Sequence, residues 1–339
     1  MRIAIVGLGA VGGLLAARLA AAGESVSALA RGATLRAVER GGIRLIEPGA
    51  TDADAAPPVP LRASADPAAL GEQDLVVVAL KSNALPAVAP TLAPLIGERT
   101  VIVPAMNGVP WWFFHGLDPA FAQRRWTAID ADGAVGQALP AQRVVGCVVH
   151  LACSTPEPGV VRRNSGNRLI FGEPDGATSD RLGQIAALFA RAGFDVETSA
   201  RIQHDVWFKL WGNMTVNPIS AITGATTDRI MDDPLVREFV SATMREAAAV
   251  GSRIGLPIDT APEERHKITR QLGAFRSSML QDVDADRPVE LDALVASVAE
   301  IARAVGVATP NIDALLGLAR LHARVHGLYP PPPLGSGAP

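Results

Sequence analysis

The stretch RIAIVGLGAVGGLLAARLAAAG, residues 2–23, decides how the first part of the chain folds. A short apolar run rich in β-branched residues, the turn GLGAVG and a helical run follow one another, which predicts strand, turn and helix. Gly7 permits a tight turn, Gly9 lets the backbone approach a pyrophosphate, and Gly12 lets the helix pack on the strand. The first helical amides then face the phosphates. The stretch predicts a dinucleotide site whose residues are Gly7, Gly9, Ala10, Val11 and Gly12.

Arg31 follows the next predicted strand, SVSALA (25–30), and indicates which dinucleotide is bound. That strand should end beside the adenosine ribose, where an NAD enzyme usually places an acidic residue for the 2′-hydroxyl. A guanidinium suits a 2′-phosphate, and a carboxylate would repel one. The sequence therefore favours NADP(H) over NAD(H), with Arg31 as a cofactor-binding residue.

Two further apolar runs, DLVVVAL (74–80) and TVIVPA (100–105), are typical of parallel strands that are covered on both faces. Each is followed by a polar residue, Lys81 or Asn107. Open α/β sheets bind ligands at this carboxyl edge. We predict that both side chains line a cofactor cleft, although ordinary polar loop residues would give the same pattern.

The remaining pattern predicts an α/β protein, an N-terminal Rossmann-type doubly wound sheet followed by an all-α C-terminal domain. We place the first domain at 1–199, the second at 200–328 and a disordered proline-rich tail at 329–339. The runs expected to extend the first sheet as antiparallel strands are WTAID, RVVGCVVHLAC, GVVRR and RLIFGE, followed by a helix near 180–192 and the strand FDVETS. Helices are expected near 201–216, 232–255, 260–283, 289–306 and 309–325.

The composition, 339 residues with 48% apolar and 19% charged residues and a net charge of −3, indicates a packed globular protein and gives no sign of a nucleic-acid partner. Arg18 interrupts the apolar N-terminal run, and no other run is long enough to span a membrane, so a cytoplasmic location is expected. Cys147 and Cys153 are expected as free thiols. His322 and His326 lack a third ligand nearby, so no metal site is predicted.

The stretch WFKLWGNMTVNPISAITG, residues 207–224, places Lys209, Asn213 and Asn217 on one helix face. Burying these groups is costly unless each finds a partner. In one interpretation Lys209 reaches solvent and the asparagines cap or join helices. In the other the stripe faces a cleft beneath the cofactor, where the lysine supplies a proton and a charge to an oxygen as a carbonyl is reduced. The helix is expected to end near Asn217, before Pro218.

These motifs, together with SSMLQDVDADRPVELD (277–292), resemble those of the ketopantoate reductase (2-dehydropantoate 2-reductase) family over nearly the whole chain apart from the tail. The resemblance implies NADPH-dependent reduction of a small 2-oxo acid to a 2-hydroxy acid, namely ketopantoate to pantoate in pantothenate biosynthesis. The resemblance leaves open whether the protein forms a homodimer.

The resemblance also implies a role for each site residue. Lys209 is the general acid. Glu290 is the second predicted catalytic residue and accepts a hydrogen bond from the hydroxyl that distinguishes ketopantoate from other 2-oxo acids. Asn213, Asn217 and Ser278 contact the substrate, and Lys81 and Asn107 lie at the nicotinamide and the substrate. The residues alone place Glu290 in the first turn of a helix that starts after Pro288.

Two departures from the family pattern leave alternatives open. Thr227 stands near a place where the family often has an asparagine, and Trp111 and Trp112 either reshape the pocket or pack against a neighbouring subunit. A reductase of a different 2-oxo acid, a β-hydroxyacid dehydrogenase and a non-catalytic NADP(H)-sensing protein are the alternative functions. Comparing turnover of 2-oxo and 3-hydroxy acids distinguishes the β-hydroxyacid dehydrogenase, and loss of NADPH absorbance with a panel of 2-oxo acids distinguishes the sensor.

Overall fold

The computed structural model describes residues 1–50 and 57–331, which form two compact units. The first contains Met1–Arg125 and Asp130–Asp205; the second contains Trp126–Ile129 and the chain from Val206 onward. This division falls inside a helix, a few residues after the domain boundary predicted at residue 199, which stays a prediction. Local sequence patterns show where a helix begins. The division between two compact units depends instead on the long-range contacts that each turn of that helix makes.

The strands are β1 (Arg2–Val6), β2 (Ser25–Leu29), β3 (Arg44–Ile46), β4 (Arg62–Ser64), β5 (Gln73–Val78), β6 (Ile96–Pro104), β7 (Gly146–Glu157), β8 (Val160–Gly172) and β9 (Asp195–Thr198). The helices of the first unit are α1 (Ala10–Ala21), α2 (Gly32–Gly41), α3 (Pro67–Leu70), α4 (Leu85–Val88), α5 (Pro119–Ala122), α6 (Ala134–Ala138) and α7 (Asp180–Arg191). Short 3₁₀ segments lie at Ser82–Ala84, Ala89–Leu95 and Ala141–Arg143.

The helices that follow are α8 (Ile202–Thr223), α9 (Thr227–Asp232), α10 (Pro234–Arg253), α11 (Pro262–Arg270), α12 (Ser278–Asp284), α13 (Ser297–Val305) and α14 (Pro310–Val325). A π-helical segment, Asp292–Ala296, leads into α13. No helix in the described ranges is both long and apolar enough to cross a membrane.

The first sheet is the predicted parallel sheet, with the order β4-β2-β1-β5-β6. Residues Ile3–Val6 of β1 are buried, since β1 lies in the middle of the sheet with layers on both faces. The predicted fold class is thereby confirmed: a Rossmann-type parallel sheet comes first in the chain, and a helical region follows it.

The prediction that the later strands extend this sheet is wrong. They form a second sheet, in which β7 pairs with β8 in antiparallel fashion and β3 and β9 pair with β8 in parallel. GVVRR and RLIFGE belong to one strand, β8, because Gly166 adopts a φ of +69° where the register shifts and lets pairing resume. WTAID is not a strand. Strand patterns do not specify the partner strand, and that choice is tertiary.

Two helix predictions also need correction. The helix expected to end before Pro218 continues to Thr223, and the helix expected over 260–283 is interrupted around Gly273, whose φ is +63°. Asp233 separates α9 from α10 and accepts hydrogen bonds from the first free amides of α10, those of Leu235 and Val236 (2.9 and 3.0 Å).

The beginning of the predicted disordered tail is ordered. The Tyr329 hydroxyl donates to Asp292 Oδ1 at 2.5 Å, and Leu328 is buried. Residues 332–339 of that tail lie outside the described residues. Cys147 and Cys153 are free thiols, as predicted, and burial raises the pKa of Cys153 to about 12. A thiol with so high a pKa is a poor nucleophile at neutral pH.

Candidate active site

The glycine-rich turn between β1 and α1 is closely packed at two positions and open at the third. Gly7 has a φ of +96°, and a Cβ added there would lie 2.7 Å from Leu80 Cδ2. A Cβ on Gly12 would overlap the Gly7 carbonyl oxygen, so α1 approaches the turn as closely as glycine allows. A Cβ on Gly9 would meet nothing within 4 Å. Open space at Gly9, directly before the first helical amides at Ala10 and Val11, is the shape that a pyrophosphate requires.

The carboxyl ends of four neighbouring strands are level with one another. The Gly7 amide donates to Leu29 O (3.0 Å), Ala79 N to Val6 O (2.9 Å) and Ala105 N to Val78 O (2.8 Å), so pairing continues just beyond each strand. The chain segments that follow β2, β1, β5 and β6 therefore leave the sheet side by side. They carry the predicted cofactor residues of the first unit.

Arg31, Lys81 and Asn107 lie on three of these segments. Arg31 is exposed and occupies the position before the first residue of α2. Lys81 precedes a 3₁₀ turn after β5, and Asn107 lies in the loop after β6; both are half-buried. The sheet register places these residues and the glycine turn along one edge, as the sequence predicted.

Helix α8 carries the lysine–asparagine stripe, and two tryptophans determine its orientation. Trp207 and Trp211 are each 1% exposed. Trp211 Nε1 donates to Met244 O on α10 at 2.7 Å, and Trp207 fills the space where a Cβ on Gly251 of α10 would lie. Because α10 holds these two side chains, the helix cannot rotate about its axis without breaking buried contacts.

The first two residues of the stripe are among the less buried positions of α8, in which no residue before Thr223 is exposed. Lys209 and Asn213 are half-buried, and Asn217 is 8% exposed. All three share one helix face because α8 remains helical through Pro218. Pro218 lacks the amide that would bond to the carbonyl of Met214, and the surrounding residues are buried, so packing maintains the helix despite the missing bond.

Ser278 begins α12, and Glu290 lies after it, just before the helical turn that contains the π-helical segment and leads into α13. Ser277 is 1% exposed and caps α12, since its Oγ accepts from Leu280 N at 3.1 Å; Ser278, the first residue of α12, is exposed. Glu290 is half-buried and lies just before the helix rather than in its first turn, with its carbonyl accepting from Leu294 N at 3.3 Å. The next carboxylate, Asp292, accepts a hydrogen bond from the Tyr329 hydroxyl. Burial, and secondly this contact with Asp292, raise the pKa of Tyr329 to about 12.

Thr227, one of the two departures from the family pattern, has a structural role. It is 2% exposed, its amide donates to Phe275 O (3.0 Å), and its hydroxyl donates to Gly273 O (2.7 Å). These bonds tie the start of α9, which closely follows α8, to the segment that leads into Ser278. Thr227 thus positions this segment.

The aromatic residues after Asn107 also have structural roles. Trp112 is 1% exposed and packs where a Cβ on Gly146 of β7 would lie, and Trp111 Nε1 donates to Leu139 O at 2.8 Å. Both contacts lie within the first unit. Trp112 is therefore part of the core rather than of a surface for another subunit.

Arg265 on α11 is a charged residue near the stripe that sequence analysis missed. Its guanidinium lies 5.4 Å above the ring of Phe208, and burial lowers its pKa. It also lies against Gly212, where an added Cβ would be 2.7 Å from Arg265 Nε. The one available signal was a glycine in the interior of a long helix, which is unfavourable there unless something needs the space.

Comparison with known proteins gives one consistent result. Residues 3–176 match the family Ketopantoate reductase PanE/ApbA, and residues 201–323 match its C-terminal part. A 2-dehydropantoate 2-reductase from Mesorhizobium japonicum is 42% identical over 330 residues, 97% of this chain and 100% of that protein.

Solved structures also resemble nearly the whole chain, and two of them illustrate this. A protein from Ralstonia solanacearum MolK2, assigned as a ketopantoate reductase, has a TM-score of 0.91 at 57% identity, covering 97% of this chain and 99% of that one. A 2-dehydropantoate 2-reductase from Geobacter metallireducens GS-15 has a TM-score of 0.82 at 26% identity, covering 95% and 99%. The chain thus belongs to the ketopantoate reductase family of NAD(P)-dependent oxidoreductases that act on CH–OH groups.

Proposed function

We propose that this protein reduces a 2-oxo acid with NADPH, and that ketopantoate is the substrate and pantoate the product. The observation that carries the proposal is the α8 stripe, in which Lys209, Asn213 and Asn217 share one face of a helix whose rotation is restrained by Trp207 and Trp211. Family membership and the name of the relative from Mesorhizobium japonicum support ketopantoate as the substrate.

The cofactor residues of the first unit fit a dinucleotide. Gly9 leaves room for the pyrophosphate, the amides of Ala10 and Val11 begin α1, and Gly7 and Gly12 keep the helix close to the turn. Arg31, exposed at the start of α2, would hold the 2′-phosphate that distinguishes NADPH. Lys81 and Asn107 would lie toward the nicotinamide. When it is bound, the reduced nicotinamide supplies the hydride.

Lys209 would supply the proton. The carbonyl oxygen of the substrate gains negative charge as its carbon receives the hydride, and an ammonium beside that oxygen stabilises the charge. Transfer of one ammonium proton to the oxygen completes the hydroxyl group and leaves a neutral amine, which water reprotonates. The partial burial of Lys209 limits competition from water for this contact.

Asn213, Asn217, Ser278 and Glu290 would select and orient the substrate. Amides and a hydroxyl can donate to the substrate's oxygens, and the Glu290 carboxylate can accept the hydrogen bond of the ketopantoate hydroxyl. A site that contains a carboxylate for that hydroxyl discriminates against an analogue without it, because the analogue cannot make this hydrogen bond.

The test follows the loss of NADPH absorbance with ketopantoate, with 2-oxo acids of similar size that lack the hydroxyl, and with NADH in place of NADPH. We expect the highest kcat/KM for ketopantoate with NADPH. NADP⁺-dependent oxidation of 3-hydroxy acids in preference to 2-oxo acid reduction would favour the β-hydroxyacid dehydrogenase alternative. Binding of NADPH without turnover of any substrate would favour a sensor.

The variant Glu290→Gln tests whether Glu290 recognises the hydroxyl that ketopantoate has and other 2-oxo acids lack. We expect a loss of about tenfold in kcat/KM for ketopantoate, because the glutamine carbonyl still accepts the hydrogen bond of the hydroxyl but carries no charge, and a smaller loss for an analogue without the hydroxyl. Glu263→Gln, which changes an exposed glutamate in the same unit, is the matched control. Equal losses for both substrates would assign Glu290 a structural role.

A further inference from the structure

The guanidinium of Arg265 is partly buried, and no negative charge in the described residues compensates it. Its Nε is fully buried and has no hydrogen-bond partner, and in residues 1–50 and 57–331 no carboxylate forms an ion pair with it. The neighbouring acidic residues are engaged elsewhere: Glu263 lies 3.9 Å from Arg245, and Glu264 lies 2.6 Å from Lys267. Removing a cation partly from water without a partner is unfavourable, so an anion bound beside Arg265 would be stabilised by this charge.

Arg265 is held against the helix that carries the proposed general acid. It lies over the Phe208 ring, and its Nε and Nη2 would be 2.7 and 2.8 Å from a Cβ on Gly212. Gly212 therefore admits the guanidinium to the backbone of α8. Gly212 is one residue before Asn213 and three after Lys209, and residues three apart on a helix are neighbours, with Cβ atoms about 5–6 Å apart. The cation thus lies beside the stripe, within the same compact unit.

We propose that Arg265 is a substrate-binding residue that pairs with the carboxylate of the 2-oxo acid, an inference that rests on the proposed function. A guanidinium is planar and presents parallel N–H donors that match the two oxygens of a carboxylate. With the carboxylate paired to Arg265, the adjacent 2-oxo oxygen is the group that Lys209 protonates. The two cations of α8 and α11 then have separate tasks: Arg265 selects acids, and Lys209 donates the proton.

The proposal is tested with Arg265→Met, which keeps an unbranched apolar stem over Phe208 and removes the charge. We expect kcat/KM for the 2-oxo acid to fall about 10- to 100-fold, mainly through KM, and kcat/KM for the matching neutral 2-oxo amide to change less than about threefold. NADPH affinity should stay constant. The matched control is Arg245→Met, which replaces an exposed arginine on α10. It should leave kcat/KM unchanged for both the acid and the amide.

Two further measurements keep the proposal falsifiable. If Arg265→Met fails to fold, Gly212→Ala serves instead, because its Cβ displaces the guanidinium; it should reduce turnover of the acid more than that of the amide. Binding of oxamate, an unreactive 2-oxo acid analogue, is measured by calorimetry on the full chain and should weaken about 10- to 100-fold in Arg265→Met.

The outcomes separate this inference from the proposed function. Turnover of 2-oxo acids by the wild type, with equal losses for acid and amide in Arg265→Met, would overturn the role of Arg265 alone. If the wild type reduces no 2-oxo acid, the proposed function fails, and unchanged oxamate affinity in the variant would overturn the inference as well.

Discussion

At the scale of single residues, Lys209 and Arg31 carry charges with different requirements. Lys209 is half-buried on a helix whose orientation is restrained by packing, whereas Arg31 is exposed before the first turn of α2. A proton donor must be held close to one oxygen, which requires a rigid support. A phosphate contact at the edge of a site tolerates a flexible side chain, since its energy is mainly electrostatic.

Replacement of the lysine tests the general acid. We expect Lys209→Ala to lower kcat by about 10²–10⁴, the usual contribution of a positioned acid, and to leave the NADPH dissociation constant nearly unchanged. Steady-state kinetics and a fluorescence titration of NADPH measure the two quantities. Lys267→Ala, an exposed lysine on α11, is the control. A kcat near that of the wild type would leave Lys209 with only a packing role.

Replacement of the arginine tests the cofactor preference. Arg31→Asp should weaken NADPH binding by about 10- to 100-fold and raise kcat/KM for NADH relative to NADPH. The reason is that a carboxylate repels a 2′-phosphate and accepts a hydrogen bond from a 2′-hydroxyl. The ratio of kcat/KM values for the two cofactors is the measurement. Arg40→Asp, in the last turn of α2, is the matched control. An unchanged ratio would assign the 2′-phosphate to another residue.

At the scale of elements, the start of α1 separates folding from cofactor binding. Gly12 is needed because a side chain would collide with the Gly7 carbonyl, while a side chain on Gly9 meets nothing in the protein. The φ of Gly9, −72°, is one that alanine also adopts. One glycine therefore belongs to the packing of the helix and the other to the space for the ligand.

Alanine at each position should therefore have a different effect. Gly12→Ala should lower the free energy of unfolding by about 1–3 kcal/mol, the range for overpacking. Gly9→Ala should leave that free energy nearly unchanged and weaken NADPH by about tenfold or more, or ~1.4 kcal/mol. Urea denaturation without cofactor and NADPH titration measure both.

Gly317→Ala is the control for these variants. Gly317 lies in α14 with nothing within 4 Å of an added Cβ, so alanine should stabilise the protein by about 0.5–1 kcal/mol without affecting NADPH. If Gly9→Ala binds NADPH like the wild type, the pyrophosphate does not lie at this turn.

At the scale of the molecule, an ion network ties the second sheet of the first unit to α1. Glu47 accepts from Arg18 of α1 (2.7 Å) and from Arg163 of β8 (2.7 Å), and Arg18 lies 4.8 Å from the Phe194 ring centroid. Burial raises the pKa of Glu47, but the hydrogen bonds and charges of Arg18 and Arg163 outweigh burial and lower the pKa below 4.5. A lowered carboxyl pKa stabilises the fold above the unfolded-state pKa.

The pH dependence of stability tests this network. The contribution of Glu47 should be complete above its unfolded-state value of 4.5 and should be lost as pH falls through the lower pKa of the folded state. Glu47→Gln should reduce stability at pH 7 by about 1 kcal/mol or less, since the pair is partly exposed, and should flatten the acid side of the profile. Glu39→Gln, an exposed residue of α2, is the control. Parallel acid limbs in wild type and Glu47→Gln would contradict the prediction.

The sequence by itself determined the features that depend on neighbouring residues. The strand, turn and helix of residues 2–23 follow from a short apolar run and from glycines required at fixed offsets, and the structure confirms them. The alignment of Lys209 and Asn213 follows from helical periodicity alone. The roles assigned to these residues and to Ser278 and Glu290 are still predictions, because side-chain chemistry in a cleft is not determined by periodicity.

Only the tertiary structure decided the features that depend on residues distant in the chain. β7 and β8 form a second sheet, α8 continues through Pro218, and Tyr329 is ordered by Asp292. Arg265 reaches α8 only because Gly212 leaves room for it. The physical reason is the same in each case: burial and pairing energies between distant segments outweigh local preferences, and the chain must be folded before those segments meet.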